Sequence, residues 1–231
     1  QWDWPDGSYA CHSDAAGIRD FDGEFLWIGI GGGGYADKAK ALASKTNLCG
    51  LCIDGRSIPQ PIVDAVGSIR RLKRLQMDII GKRSLALLNS AADLESLYLG
   101  GVRGPKDYSV ANLKRLRSLY VGGDTEAVTA VLGGGHPRVR YLALGGATGS
   151  SSLRLGELEL FQAFPNLEYL ELFNVSVASR SLEPCQSLQH LRCVIVNSMS
   201  RWKKQPVEGL ISAGVPVYGR IDTLRAEMRQ D

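Results

Sequence analysis

The chain has 231 residues, of which 44% are hydrophobic and 22% are charged, and it carries a formal net charge of +3 at pH 7. This balance is ordinary for a folded, water-soluble protein. The small positive charge argues against nucleic acid as the partner, because dedicated nucleic-acid binders are strongly basic. No window approaches the roughly 18 consecutive apolar residues that a membrane span needs, so no membrane attachment is expected.

A short apolar motif recurs along the chain in the order apolar, two spacers, apolar, one spacer, apolar. Its central residues follow one another at intervals of 21 to 28 residues, and an apolar code at such a period is typical of stacked solenoid repeats. The seven copies are Leu48-x-x-Leu51-x-Ile53, Leu72-x-x-Leu75-x-Met77, Leu94-x-x-Leu97-x-Leu99, Leu116-x-x-Leu119-x-Val121, Val139-x-x-Leu142-x-Leu144, Leu167-x-x-Leu170-x-Leu172 and Leu188-x-x-Leu191-x-Cys193.

Two further strands are predicted at the ends of this series. When the residues before the first motif are aligned with that motif, Ile28 takes the repeat position of Leu51. When the residues after the last motif are aligned with it, Val215 takes the repeat position of Leu191. Together with the seven motifs they give about nine short strands.

The sequence contains no linker and no low-complexity stretch, so we expect one repeat domain over residues 1–231. Residues 1–24 are expected to form an amino-terminal cap, residues 25–218 the repeats, and residues 219–231 a closing helix. Caps are needed because the end repeats of a solenoid would otherwise expose their cores.

Between the strands the apolar period changes to that of a helix, which suits the crossover that parallel strands require. Prolines 59 and 61 and the capping residue Asp124 mark two of the helix starts. Gly31–Gly34 lacks the Lys-Ser/Thr ending of a phosphate-binding loop, so a sharp turn is favoured over phosphate binding there. The predicted helical segments are Tyr35–Lys45, Pro59–Val66, Lys82–Ala92, Asp124–Leu132, Glu157–Phe164 and Gln205–Ala213.

With these strands and helices the chain resembles the leucine-rich-repeat family over roughly Glu24 to Tyr218. The resemblance implies an α/β solenoid with about nine short parallel strands on a concave face and short helices on the convex face. Members of the family often carry Asn three positions after the last apolar residue of the motif, and this chain is a divergent example. Those positions hold Arg56, Ile80, Val102, Asp124, Ala147, Val175 and Val196.

Aromatic residues recur on the strand face that the apolar motif leaves open, since neighbouring strand residues point to opposite faces. Adjacent strands lie about 4.8 Å apart, so these rings are expected to form a stripe. Tyr is enriched at interface hot spots, and an open face has no folding need for large rings. The alternative is that aromatic residues suit strands and cover one another. The predicted anchors are Tyr98, Tyr120, Tyr141, Tyr169 and Phe173.

Polar and charged residues flank the predicted stripe on the same face. They are expected to orient a partner, and Trp27 extends the face at the first strand. The remaining predicted partner-binding residues are Trp27, Arg74, Gln76, Asp78, Glu171, His190 and Arg192.

Cysteine and histidine usage gives no sign of a metal or cofactor site. The chain has five cysteines, an odd number without a disulfide framework, so a reducing compartment and a cytoplasmic location are expected. Cys49-x-x-Cys52 has no second pair, which favours small strand residues over redox or metal chemistry. Because the chain begins at Gln1, removal of a preceding segment stays open.

These patterns predict a non-catalytic protein-binding module that acts through the concave sheet face. No nucleophile elbow, paired carboxylates or dinucleotide fingerprint points to an enzyme. The resembled family includes inhibitors that cover an enzyme and bacterial immunity proteins that neutralise a toxin. We therefore expect a monomeric, stoichiometric inhibitor of another protein. The alternative is an adaptor or substrate-recognition subunit of a larger complex.

Overall fold

The computed structural model describes residues 9–55, 58–78, 91, 93–103, 109–146, 153–155, 158–177, 183–197 and 210–219. The chain divides into two compact units. Unit 1 comprises Gln1–Pro105 with Asn112–Leu116, and unit 2 comprises Lys106–Ala111 with Arg117–Asp231. Within the described residues, no helix combines the length and the apolar character needed to span a membrane.

Unit 1 consists of strands that each pair in parallel with the next one along the chain. Helices form the first three crossovers between these strands, as parallel pairing requires. The strands are β1 (Tyr9–His12), β2 (Phe25–Gly29), β3 (Gly50–Asp54), β4 (Arg74–Asp78) and β5 (Ser96–Val102), and the helices are α1 (Ala15–Asp20), α2 (Tyr35–Ala43) and α3 (Gln60–Gly67).

Unit 2 is also built mainly of parallel strands. Its main strands pair in parallel in the order β6-β7-β9-β11-β12, and β8 and β10 form a separate two-stranded parallel sheet. Two 3₁₀ helices, Leu158–Ala163 and Glu183–Ser187, connect later strands. The elements are β6 (Ser118–Gly123), α4 (Thr125–Leu132), β7 (Tyr141–Gly146), β8 (Leu153–Leu155), β9 (Tyr169–Phe173), β10 (Val175–Val177), β11 (Cys193–Asn197) and β12 (Val217–Gly219).

The central leucines of the motif form the core of each unit. In unit 1, Leu51 pairs in register with Leu75, which pairs with Leu97. In unit 2, Leu142 pairs with Leu170. All of these side chains are fully buried, and each burial contributes about 2 kcal/mol to stability. The predicted inward direction of the leucines is therefore confirmed.

Apolar residues replace the expected Asn at the position three residues after the motif. Val102 and Val175 are buried there. Asp124 occupies the same position after β6, and its side chain accepts a 2.8 Å hydrogen bond from the backbone N–H of Ala127. The divergence thus replaces the expected Asn with an apolar packing residue at two sites and with a helix cap at one.

The predicted register of the last motif is wrong by three residues. We expected Leu191 at the centre, but β11 places Val194 opposite Leu170 and Cys193 opposite Tyr169. The actual motif is Leu191-x-x-Val194-x-Val196, which overlaps the predicted one. The β-branched run from Val194 to Val196 suits a strand better than the residues before it.

The alignments at both ends of the repeat series also need correction. Leu26, rather than Ile28, lies opposite Leu51. Because this shift is two residues, strand alternation keeps the intervening Trp27 on the open face. At the other end Val217, rather than Val215, occupies the repeat position, opposite Val194.

Within the described residues the two units together contain ten strands of the repeat type, five in each, which is more than the nine or so predicted. The additional strand, β1, lies with α1 inside the predicted cap of residues 1–24. Its four residues, Tyr-Ala-Cys-His, carry no leucine motif, so the repeat code did not reveal it. The predicted closing helix at residues 219–231 lies outside the described residues beyond Gly219.

Three of the predicted helices are confirmed as α2, α3 and α4. The segment predicted at Glu157–Phe164 forms a 3₁₀ helix rather than an α-helix. The segment at Lys82–Ala92 lies almost wholly outside the described residues. That at Gln205–Ala213 is described only from Leu210 onward, where residues 210–212 are helical.

Candidate partner-binding faces

Each unit has a sheet face whose side chains alternate with the buried leucines. We call these the unit-1 face and the unit-2 face. The unit-1 face carries Phe25, Trp27, Arg74, Gln76 and Tyr98, and the unit-2 face carries Tyr120, Tyr141, Tyr169, Glu171, Phe173, Cys193, Ile195 and Tyr218.

On the unit-1 face, Arg74 reaches across one strand to an aromatic ring. Phe25, Gly50 and Arg74 lie in register on three successive strands. The Arg74 guanidinium carbon is 5.6 Å from the centre of the Phe25 ring, within the range of a cation–π contact. Because Gly50 has no side chain, nothing on β3 separates the two groups at this level.

The other predicted residues of the unit-1 face lie beside this pair. Trp27 is 37% exposed, while Gln76 and Tyr98 are half-buried and pair with each other in register. Asp78 is the last residue of β4, and its side chain lies outside the described part of the structure. The face therefore combines an accessible indole, a guanidinium and a tyrosine.

The unit-2 face gathers four of the five predicted aromatic anchors. Tyr141 and Tyr169 lie opposite each other on β7 and β9. Phe173 is the most accessible anchor at 40% exposure, whereas Tyr120, Tyr141 and Tyr169 are half-buried. Tyr98, the fifth predicted anchor, belongs to unit 1. The unit-2 face thus presents an aromatic surface made of half-buried and exposed rings.

A hydrogen bond joins the charged residue of the unit-2 face to its neighbouring strand. The Tyr141 hydroxyl donates to Glu171 Oε2. Burial raises the pKa of Tyr141 far above its ordinary value, and the bond to Glu171 and its negative charge raise that pKa further. Tyr141 consequently keeps its proton and remains a donor over the physiological pH range.

Two glycines give Tyr120 the space it occupies. A Cβ atom added to Gly145 would come within 2.5 Å of the Tyr120 hydroxyl oxygen, and one added to Gly122 would come within 3.0 Å of it. The tyrosine hydroxyl therefore lies close over the backbone where β6 and β7 end. The glycines after the strands, which the sequence marked as turn residues, also accommodate an aromatic side chain.

His190 and Arg192 do not lie in the predicted strand columns, because of the register shift in β11. Both are exposed and precede the strand. Arg192 Nε instead lies 3.4 Å from Glu168 Oε2, and Arg140 Nη1 lies 3.4 Å from Glu168 Oε1. Their role as orienting charges stays a prediction.

The corrected register adds residues that the sequence interpretation missed. Cys193 and Ile195 of β11 are half-buried beside Tyr169 and Glu171, and Tyr218 follows on β12. Burial raises the pKa of the Cys193 thiol. The overlapping motif starting at Leu191 was the signal that could have identified these residues.

The loop Gly31–Gly34 before α2 binds the ammonium group of a lysine from the same chain. Lys38 is only 4% exposed, and its Nζ donates a 2.8 Å hydrogen bond to the carbonyl of Gly31. Gly34 caps the helix with a φ of 65°, which favours glycine. This geometry supports the turn interpretation, because the ammonium group closes the loop onto the helix.

In the part of the chain that the structure describes, no group of three or more His, Cys, Asp and Glu could hold a metal ion. Cys49 is half-buried just before β3, and Cys52 is buried within β3.

Parallel strands at a leucine-rich period, joined by short helices and turns, define an α/β leucine-rich-repeat-like solenoid fold. An internalin from Listeria monocytogenes, a leucine-rich-repeat protein, has a similar structure with a TM-score of 0.57 and 16% sequence identity. The match covers 90% of this chain and 57% of the internalin structure. At this identity the likeness concerns the fold alone.

No protein-family model matches the chain, and no curated protein matches it. The leucine-rich-repeat-like fold is typical of non-catalytic protein-binding modules.

Proposed function

We propose that this protein is a non-catalytic inhibitor that binds another protein stoichiometrically through the open faces of its sheet. The observation that carries the proposal is the aromatic cluster of the unit-2 face, with Tyr141, Tyr169 and Phe173 around Glu171. Half-buried rings are already ordered before binding, so they lose little conformational entropy when a partner covers them. Tyr is also among the residue types most enriched at binding hot spots.

The partner class we favour is a toxin-like enzyme, which would make the protein a bacterial immunity protein acting as a monomer in the cytoplasm. A rigid face that presents aromatic rings without catalytic groups of its own suits the covering of another protein's surface. The product of the adjacent gene is the natural first candidate, because immunity proteins are commonly encoded beside their toxins.

The test is titration of the adjacent gene product with this protein, measuring both binding and loss of enzyme activity. We expect one-to-one binding and inhibition. Tyr169→Ala should weaken binding by at least about 1 to 2 kcal/mol, because it removes an anchor from the face.

Tyr35→Ala is the matched control, since Tyr35 is equally aromatic and 36% exposed but lies on helix α2. It should leave binding unaltered, and thermal melts would verify that both variants fold. Absence of binding, or equal losses in the two variants, would refute the proposal.

An adaptor that brings a target to a larger complex is the second candidate. The observation that favours it is that each unit has its own aromatic surface, with Phe25, Trp27 and Arg74 on the unit-1 face. An adaptor would bind two proteins at once. Trp27→Ala would then weaken one interaction and Tyr169→Ala the other, whereas an inhibitor shows a single partner.

A further inference from the structure

The carboxylate of Glu171 is held in place on the unit-2 face. Its Oε2 accepts the hydroxyl proton of Tyr141, which comes from the neighbouring strand β7. A carboxylate has about four lone-pair sites, so it can accept hydrogen bonds from several donors at once. Its fixed position lowers the entropy that a ligand's binding would cost.

Aromatic and aliphatic side chains border this carboxylate. Tyr169 and Phe173 lie two residues before and after Glu171 on β9, and strand alternation puts them on the same face. Ala143 and Ile195 are its register partners on the strands to either side. Ala143 is only 2% exposed, so the side chains around it already cover this position of the face.

The charge of this face is negative. At the described positions of β6, β7, β9 and β11 that alternate with the buried core residues, Glu171 is the one residue with a formal charge at neutral pH. The nearby arginines Arg140 and Arg192 lie before their strands, where both contact Glu168. The face positions are Ser118, Tyr120, Gly122, Tyr141, Ala143, Gly145, Tyr169, Glu171, Phe173, Cys193 and Ile195.

We propose that Glu171 and the rings of Tyr141, Tyr169 and Phe173 form a binding site for one cationic side chain, an arginine or a lysine, of the protein partner. This inference rests on the protein-binding function proposed above. The carboxylate supplies the counter-charge, the rings receive the cation on their faces, and the apolar border packs against the methylene stem. Arginine fits better than lysine, because a planar guanidinium stacks on rings while it pairs with a carboxylate.

The test uses the full chain and three small probes: N-acetyl-arginine amide, N-acetyl-lysine amide and N-acetyl-citrulline amide. Citrulline is nearly isosteric with arginine but neutral. Binding is followed by NMR shifts of the tyrosine and phenylalanine ring signals. We expect saturable shifts with arginine, weaker binding of lysine, and binding of citrulline weaker than arginine by about tenfold or more.

Two carboxylate variants locate the site. Glu171→Gln should weaken arginine binding by about tenfold. Glu168→Gln should leave it unaltered, because Glu168 lies before the strand and contacts Arg140 and Arg192. The proposal is overturned if the wild type gives no saturable shifts with either cation, if citrulline binds as well as arginine, or if both variants lose binding equally.

The partner-binding assay separates this inference from the proposed function. If Tyr169→Ala weakens partner binding and Glu171→Gln does not, the cation site is refuted and the binding face stands. If the amino-acid probes bind as expected while no protein partner is bound or inhibited, the cation site stands and the proposed function fails.

Discussion

Single residues determine the chemistry of the unit-2 face more than any element does. Tyr141 illustrates this, because its hydroxyl group holds Glu171 by a hydrogen bond and has a raised pKa as a result of burial and of that bond. The motif predicted that Tyr141 would point to the open face. The hydrogen bond could not be predicted, because it depends on which of several face residues on β9 comes within reach.

The raised pKa of Tyr141 makes stability depend on alkaline pH. In the unfolded chain this phenol ionises near its ordinary pKa of about 10, whereas in the folded protein it keeps its proton. The unfolded state therefore binds fewer protons above that pH, and the free energy of unfolding falls as pH rises. Tyr141→Phe removes this contribution, so its stability should decline less steeply than that of the wild type.

Urea unfolding at a series of pH values from neutral to about pH 11 would measure the effect. The slope of unfolding free energy against pH should be shallower in the variant above about pH 9.5 and equal to the wild-type slope near neutrality. Identical slopes throughout would show that Tyr141 titrates alike in both states.

At the scale of elements, the decisive feature is strand register. Where leucines mark the strand, as at Leu75, Leu97 and Leu142, the sequence predicted the pairing correctly. Around Leu191 two motifs overlap, and there the predicted pairing was wrong, because either motif would bury a set of apolar side chains. The winning alignment places Val194 and Val196 in the core and Ile195 on the face.

Two alanine substitutions distinguish the registers of β11. Val194 is fully buried and Ile195 half-buried. Val194→Ala should therefore cost about 2 kcal/mol of stability, and Ile195→Ala should cost less despite removing more carbon atoms. Chemical denaturation of both variants measures this order, and the reverse order would support the register first predicted.

Short elements without the leucine motif were also missed. Strand β1 has four residues, and β8 and β10 have three each. Strands of this length carry too few residues to show an alternating pattern, and their existence depends on the neighbour they pair with.

At the scale of the whole molecule, the fold follows from repetition of one apolar code. Each repeat buries its leucines against its neighbours, so a single copy would be marginal while a series is stable. This is why the α/β leucine-rich-repeat-like fold could be predicted although no curated sequence matches the chain. The repeat does not predict the proposed partner, because the choice of partner would depend on a few face residues in each unit.

We propose that leucines fill the core while the aromatic residues of the open faces contact a partner. Hydroxyl-radical footprinting, with and without the adjacent gene product, tests this arrangement most directly. We expect the complex to lose oxidation at Phe173 and Tyr169, while Tyr35 on helix α2 is oxidised equally in both samples. Protection of Tyr35 with unchanged oxidation of Phe173 and Tyr169 would contradict it.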